Sequence, residues 1–592
     1  MQPPKNAWPD TEGSRGVLFF AQLMSEMLSP TTFESFRVYS LDTNARLDEA
    51  LLLAEDVRRE RVPRATLDPI VEELKWSVTK DSAAIKLAER EIESLTRTVS
   101  DKNTTLDAFS SHIRFIDRLI GNRYKETVQN QILESFDQAN RKNDIRKLAG
   151  FYCSHLINLG YSRQHILEVV NSYFFTSDVQ RIGRATLAKF FREFDGRRKR
   201  FIVHAAVSKD LGNYLKGLGF VIRDIAQLST DQVGTLALNS NFGSTPSALE
   251  VSVDHFDPHV AMDFAYQILS AQRAISYLDP YGMKCDWGNT MHVTKLRAQN
   301  GVSITKQDFL SSRPNIQKVR PNIRAGTISS YAKSLIENFD TPSTERLLSS
   351  IRTAALARTS FNPENQIISL WSAIEVLLSE PDDKVRIVHY ANLITPCIAL
   401  RHARRQILAI YDGLILRYRH RLNRLLRQMP NFPNSHGQKA FSEMMLLPEH
   451  EALRVELCKI LENNPLALHR VWKLHNDYKD TKCAHRTICD HANRVEWQIH
   501  RVYRARNQLV HSGRMPSYLE SVILNIAEYY TAAIATIVNR AKREEERSDI
   551  DQTVAEIGIR YSILRNQFIG KVEPFQASHV AMLMDFPTAW NS

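Results

Sequence analysis

The residues in this chain best suited to chemistry lie in the string Ile499-His-Arg-Val-Tyr-Arg-Ala-Arg-Asn-Gln-Leu-Val-His-Ser-Gly513. Val495, Ile499, Val502, Arg506 and Leu509 recur at spacings of four, three, four and three, which predicts one face of a helix. Asp490 is a suitable N-cap for that helix, and Ser512-Gly513 a suitable stop. A guanidinium cannot shed its charge, so Arg506 on an apolar stripe calls for a carboxylate, a phosphate or water beside it. Asn507 and His511 are four apart and share one side of the helix end, where a groove can open to solvent. At roughly 100° per residue, Arg506 lies about 140° around the helix from His511, so both can border one groove. An imidazole titrates close to neutrality and can move protons. Together the three residues define a small polar site.

An acidic partner is available upstream. Residues 366–378 are apolar at 367, 371, 374 and 378, which predicts a second helix with Glu375 positioned to meet Arg506. Between Arg401 and Arg427 the chain carries arginines at 401, 404, 405, 417, 419, 421, 424 and 427 against one acid, Asp412. Leu408, Tyr411, Leu414, Tyr418, Leu422 and Leu425 supply an apolar stripe, so an amphipathic helix with its arginines in solvent is predicted. Such a face suits a polyanion.

Cys483, His485, Cys489 and His491 fall within nine positions, but the C-x-H-x3-C-x-H spacing is not a usual structural zinc pattern, and no metal is expected there. The site residues also admit a structural reading. His511 can cap helix carbonyls before Gly513, and Arg506 with Glu375 can be an ordinary ion pair.

The elements that must hold these residues come from a chain of 592 residues, too long for one core. The predicted fold is mainly α. Residues 1–195 read as a helical N-terminal region with a sensing or regulatory place in the layout, 196–334 as an α+β domain, 335–545 as a helical domain and 546–592 as a tail. In the middle domain, strands at 201–207, 220–223 and 249–254 and helices at 209–217 and 257–276 follow a β-α-β, β-α-β order, the ferredoxin-like arrangement. The polar segments 239–244 and 286–289 read as loops. No GxxxxGK[ST], HExxH or GxSxG occurs, which argues against an NTPase, a zincin or a serine hydrolase. Six cysteines in 592 residues give no disulfide framework. No apolar run or leader-like segment points to a membrane, so a cytoplasmic protein is expected. The net charge of +11 favours a polyanionic partner.

The 499–513 string resembles the signature helix of the HEPN superfamily, Arg-x4–6-His with Asn following the Arg. Residues 370–378, Leu370-Trp-Ser-Ala-Ile-Glu-Val-Leu-Leu378, resemble the glutamate-bearing helix of ApeA-like HEPN proteins of bacterial anti-phage defence. The resemblance covers about 340–545 and implies a C-terminal helical HEPN bundle. It further implies a metal-independent endoribonuclease without cofactor, in which the 2′-hydroxyl attacks the adjacent phosphodiester. On that reading His511 moves protons, Arg506 holds the phosphate, Asn507 positions His511 or substrate, and Glu375 orients Arg506. One histidine per chain implies a homodimer with a composite site, RNA as partner and a phage-derived trigger. Arg401, Arg404, Arg405, Arg417, Arg421 and Arg424 would bind the RNA backbone. A non-catalytic RNA-binding or dimerisation scaffold, or the toxin of a toxin–antitoxin pair, remain alternative readings of the same residues.

Overall fold

The computed structural model describes residues 12–585 apart from 31, 101–103, 137–140, 177–182, 238–246, 280, 284, 299, 307–309, 311–320, 381–384, 431, 433–436, 514, 545 and 571. The described chain is mostly helical, with one five-stranded antiparallel sheet. It divides into two compact units, one of residues 1–155, 177–184 and 309–592, the other of residues 156–176 and 185–308.

The smaller unit holds the sheet. Its strands are β1 (Lys199–Val207), β2 (Val221–Asp224), β3 (Ser247–His255), β4 (Trp287–Lys295) and β5 (Val302–Thr305), in spatial order β2-β3-β1-β4-β5. The first four follow the order of a β-α-β-β-α-β chain with an extra helix, Thr230–Ala237, between β2 and β3, and β5 adds a hairpin to β4. Alternation along β1 puts Phe201, Val203, Ala205 and Val207 on one face, where Leu211 and Leu215 of the Lys209–Gly217 helix and Ala261, Ala265 and Leu269 of the Pro258–Ser276 helix cover them. Asp257 caps the second helix by accepting from the His259 and Val260 amides, and Pro258 pre-sets its first turn. Residues 239–244 lie outside the described residues. The segment 286–289 is not a loop, because β4 begins at Trp287 and its register to β1 pairs Trp287 with Val207.

The larger unit does not follow the boundaries read from the chain. Residues 1–155 belong with 309–592, and the supposed tail holds two helices, Ile550–Gln567 and Ala577–Met584. Ile550, Val554, Ile557, Leu564, Val580 and Leu583 on those helices enter the same core as Trp371, Ile407, Val495, Ile499 and Ile526. The Ile550–Gln567 helix shows why: a polar helix with one apolar stripe looks like a surface segment until the bundle that takes the stripe is known.

Three helices build the heart of this unit. Arg386–Leu426 runs 41 residues, is broken near Tyr418 (φ −120°, ψ 22°), and is buried on nearly every side through its first half. Leu519–Ala541 is apolar over most of its circumference, as suits a bundle-centre helix, and 78% of its most apolar window is buried. The third is Thr481–Ser512. Asp480, rather than Asp490, caps it by accepting from the Cys483 amide, so the helix starts ten residues earlier than its apolar stripe suggests. It ends at Gly513, whose φ of 63° is the left-handed conformation that glycine adopts without penalty.

Candidate active site at the end of the Thr481–Ser512 helix

The last two turns of this helix carry Arg506, Asn507 and His511. His511 is exposed, while Arg506 and Asn507 are half-buried. Arg506 Nη1 donates to Asn507 Oδ1 at 3.1 Å, and Arg506 Nε is buried without a hydrogen-bond partner. A half-buried guanidinium and an exposed imidazole on the last turns of one helix are suited, respectively, to holding an oxyanion and to exchanging a proton.

The arginine that lies in the core is a different one. The buried stripe runs Val495, Ile499, Val502, Ala505 and Leu509, and Arg506 sits at its edge. Arg501 is 0% exposed and lies against two carboxylates from the N-terminal helices Thr43–Arg58 and Asp68–Lys80. It donates from Nε and Nη2 to Glu49 at 3.2 and 2.8 Å, and from Nη1 to Glu73 at 3.2 Å, with a further bond from Nη2 to Glu73. Arg504 reaches Glu49 at 2.7 Å and Arg46 reaches Glu73 at 3.1 Å. Burial alone would raise both carboxyls. The Arg501 and Arg504 guanidiniums override it and bring Glu49 down to about 2, and Arg501 with Arg46 holds Glu73 low. This network fixes the helix about one and a half turns before Arg506.

Glu375 does not pair with Arg506. It accepts the Trp371 indole N–H at 2.8 Å, within its own Pro363–Leu377 helix. The fully buried Trp371 ring packs on Tyr503 at 5.3 Å, so that helix supports the site helix through aromatic packing rather than through an acid at the guanidinium.

The arginine-dense segment divides in two. Arg401 is buried and donates to the Ala532 carbonyl at 2.9 Å. Arg404 donates to the Met584 carbonyl at 2.9 Å, and Arg405 pairs with Glu528 at 2.8 Å beneath the Phe33 ring. Arg401 is shut off from solvent and Arg404 and Arg405 are half-buried and engaged, because the first half of the Arg386–Leu426 helix crosses the middle of the bundle. Arg417, Arg421 and Arg424, beyond or beside the break at Tyr418, are exposed, as are Arg419 and Arg427.

Cys483, His485, Cys489 and His491 do not converge. Cys489 Sγ faces His485 Nε2 at 3.6 Å, whereas His491 turns inward to Glu34 and His402. Glu34, His402 and His491 place their donor atoms within 4.8 Å of one another, the one such set of three among the described residues. The His491 Nε2 to Glu34 Oε1 distance is 2.7 Å, a hydrogen bond, and shorter than the about 3.4 Å that two ligands of one tetrahedral zinc ion keep. The two imidazoles stack at 3.6 Å between centroids, 14° from parallel. Burial first and His491 second push His402 well below the usual imidazole range. Sequence spacing could not reveal this cluster, since its members come from positions 34, 402 and 491.

No protein-family model, curated protein or solved structure matches the chain.

Proposed function

We propose that the chain is a metal-independent endoribonuclease of the HEPN type that acts in prokaryotic anti-phage defence by abortive infection. The observation that carries this reading is the position of Arg506, Asn507 and His511 on one helix end, with the guanidinium half-buried against Asn507 and the imidazole exposed. In the reaction, an RNA 2′-hydroxyl loses its proton to an imidazole and bonds to the adjacent phosphorus. The P–O5′ bond breaks, leaving a 2′,3′-cyclic phosphate, and the departing oxygen takes up a proton to become a 5′-hydroxyl. Arg506 holds the phosphoryl oxygens as their charge grows, and Asn507 orients Arg506 through its amide oxygen. Two His511 side chains, one from each copy of a homodimer, supply base and acid on opposite sides of the phosphorus. Arg417, Arg421 and Arg424 hold the backbone without reading sequence. A phage-derived molecule acts as the trigger, in a cytoplasmic setting. Glu375 acts by fixing Trp371 under the site helix.

The test is RNA cleavage in the presence of a chelator. Wild-type protein should yield cyclic phosphate ends, and His511→Ala and Arg506→Ala should be inactive with unchanged circular dichroism and melting temperature. Cleavage by His511→Ala at the wild-type rate would refute the reading. If His511→Ala keeps full biological function while neutralising Arg417, Arg421 and Arg424 abolishes it, the chain is an RNA-binding scaffold instead.

A further inference from the structure

Away from the Arg506–His511 end, a small recess is lined by Arg401, Asn539, Arg540, Arg543 and Arg560, with Thr536 and Ile557 completing its wall. Four guanidiniums and no carboxylate bound it. Arg540 is matched by Glu544 and Glu556, and Arg543 by Asp585. The Thr536 hydroxyl is engaged with the Cys397 and Ala532 carbonyls. Arg401 and Arg560 have no acid partner among the described residues. Two donors are left over, Arg401 Nε and the Asn539 amide nitrogen, both buried and without a hydrogen-bond partner.

This arrangement is unfavourable as it stands. Arg401 is 3% exposed, and its one hydrogen bond goes to a neutral carbonyl. A guanidinium removed from water without a counter-charge costs several kcal/mol. A water molecule can accept from Nε, but it does not offset the charge. Burial and the neighbouring Arg405 and Arg404 pull the Arg401 pKa down to about 10, the sign of a cation in an unfavourable field. The missing element is an acceptor that carries negative charge.

We propose that this recess binds a terminal phosphate group, as inorganic phosphate or as the 5′-phosphate of a mononucleotide. The cavity is about 20 Å³, which admits one oxyanion oxygen to Arg401 and Asn539 and leaves the others towards Arg560, which lines both this recess and the groove beside it. An interior phosphodiester cannot present an oxygen at such depth without bringing its flanking nucleotides into the wall. Arg540 and Arg560 also line a neighbouring open groove of about 700 Å³, with Ile559, Ile563, Leu564 and Met582 along it and the carboxylates of Glu556 and Asp585, the partners of Arg540 and Arg543, on its wall. That groove offers apolar surface to whatever the phosphate is attached to. The site is separate from the proposed ribonuclease centre and does not depend on it.

The test is thermal melting and calorimetric titration of the full chain with inorganic phosphate and with adenosine 5′-monophosphate, against sodium chloride of equal ionic strength. Phosphate should raise the melting temperature beyond the chloride control. Tighter binding of the nucleotide assigns the groove to a nucleoside, and equal binding assigns the recess to free phosphate. Arg560→Gln, at a half-exposed position, should fold as wild type and bind about tenfold more weakly, the worth of one charge-assisted hydrogen bond. Arg401→Met should lose the phosphate response and melt no lower than wild type in phosphate-free buffer, because it removes an uncompensated charge. No stabilisation beyond chloride, or the same response in both variants, would overturn the proposal. If Arg401→Met fails to fold, Arg560→Gln decides alone: wild-type affinity in that variant refutes the site.

Discussion

Replacing Arg501 with methionine tests how the N-terminal helices hold the site helix. The side chain is wholly buried and makes four hydrogen bonds, two to Glu49 and two to Glu73. Removing one partner of a buried ion pair costs about 3–5 kcal/mol, because the other charge is left without compensation. Here each acid keeps a second cation, Glu49 through Arg504 at 2.7 Å and Glu73 through Arg46 at 3.1 Å. The lower end, about 3 kcal/mol at pH 7, is therefore expected. In the wild type, Glu49 titrates at about 2 in the fold, below its unfolded value. Its contribution is thus fully present above about pH 4.5 and is lost as pH falls towards 2. In Arg501→Met, burial regains the upper hand and Glu49 takes up its proton at a higher pH, so the acid limb of the stability curve moves upward. Urea denaturation followed by tryptophan fluorescence reports on this directly, because Trp76 and Trp497 pack 6.1 Å apart across the two helices involved. A variant within about 1 kcal/mol of wild type, the range of an exposed pair, would refute the claim that this network fixes the helix. Arg501→Met combined with Glu73→Gln should recover part of the loss.

Two further outcomes follow from buried groups. Burial and Arg504 lower the His500 pKa to about 4, and burial with Arg146 and Lys473 lowers His469 to about 3. Both stay neutral in the fold while the unfolded chain protonates below about 6.5, so stability is undiminished above that pH and declines as pH falls towards 4. The His500 share reaches on the order of 3 kcal/mol, and urea midpoints measured between pH 7 and 5 should show the slope shrink in His500→Gln; an unchanged slope would remove His500 as its source. Glu375→Gln should retain the acceptor for the Trp371 indole and stay near wild type, whereas Glu375→Ala should lose about 1–3 kcal/mol by leaving that N–H unpaired. Equal stability of the two variants in the same denaturation assay would show that the bond is dispensable.

Local pattern alone was enough for the elements whose signals are short-range. Strands β1 to β3 follow from β-branched runs, the Lys209–Gly217 helix from its spacing, and the end of the Thr481–Ser512 helix from Gly513. The side chains at that end are legible for the same reason, since Asn507 and His511 share a face by helical period. What only the tertiary structure decided is which charges lie inside. Arg501 and Arg506 both fit an apolar stripe to within one position, and Glu49 and Glu73, more than 400 residues away in the chain, make Arg501 the core residue. In the same way, Arg401 and Arg417 belong to one run of arginines, yet the helix they share passes from the middle of the bundle to its surface between them. Helical period specifies direction around an axis; depth depends on what packs from elsewhere. Burial, ion pairing and the stacking of His402 on His491 are properties of that packing, so no window of sequence contains them.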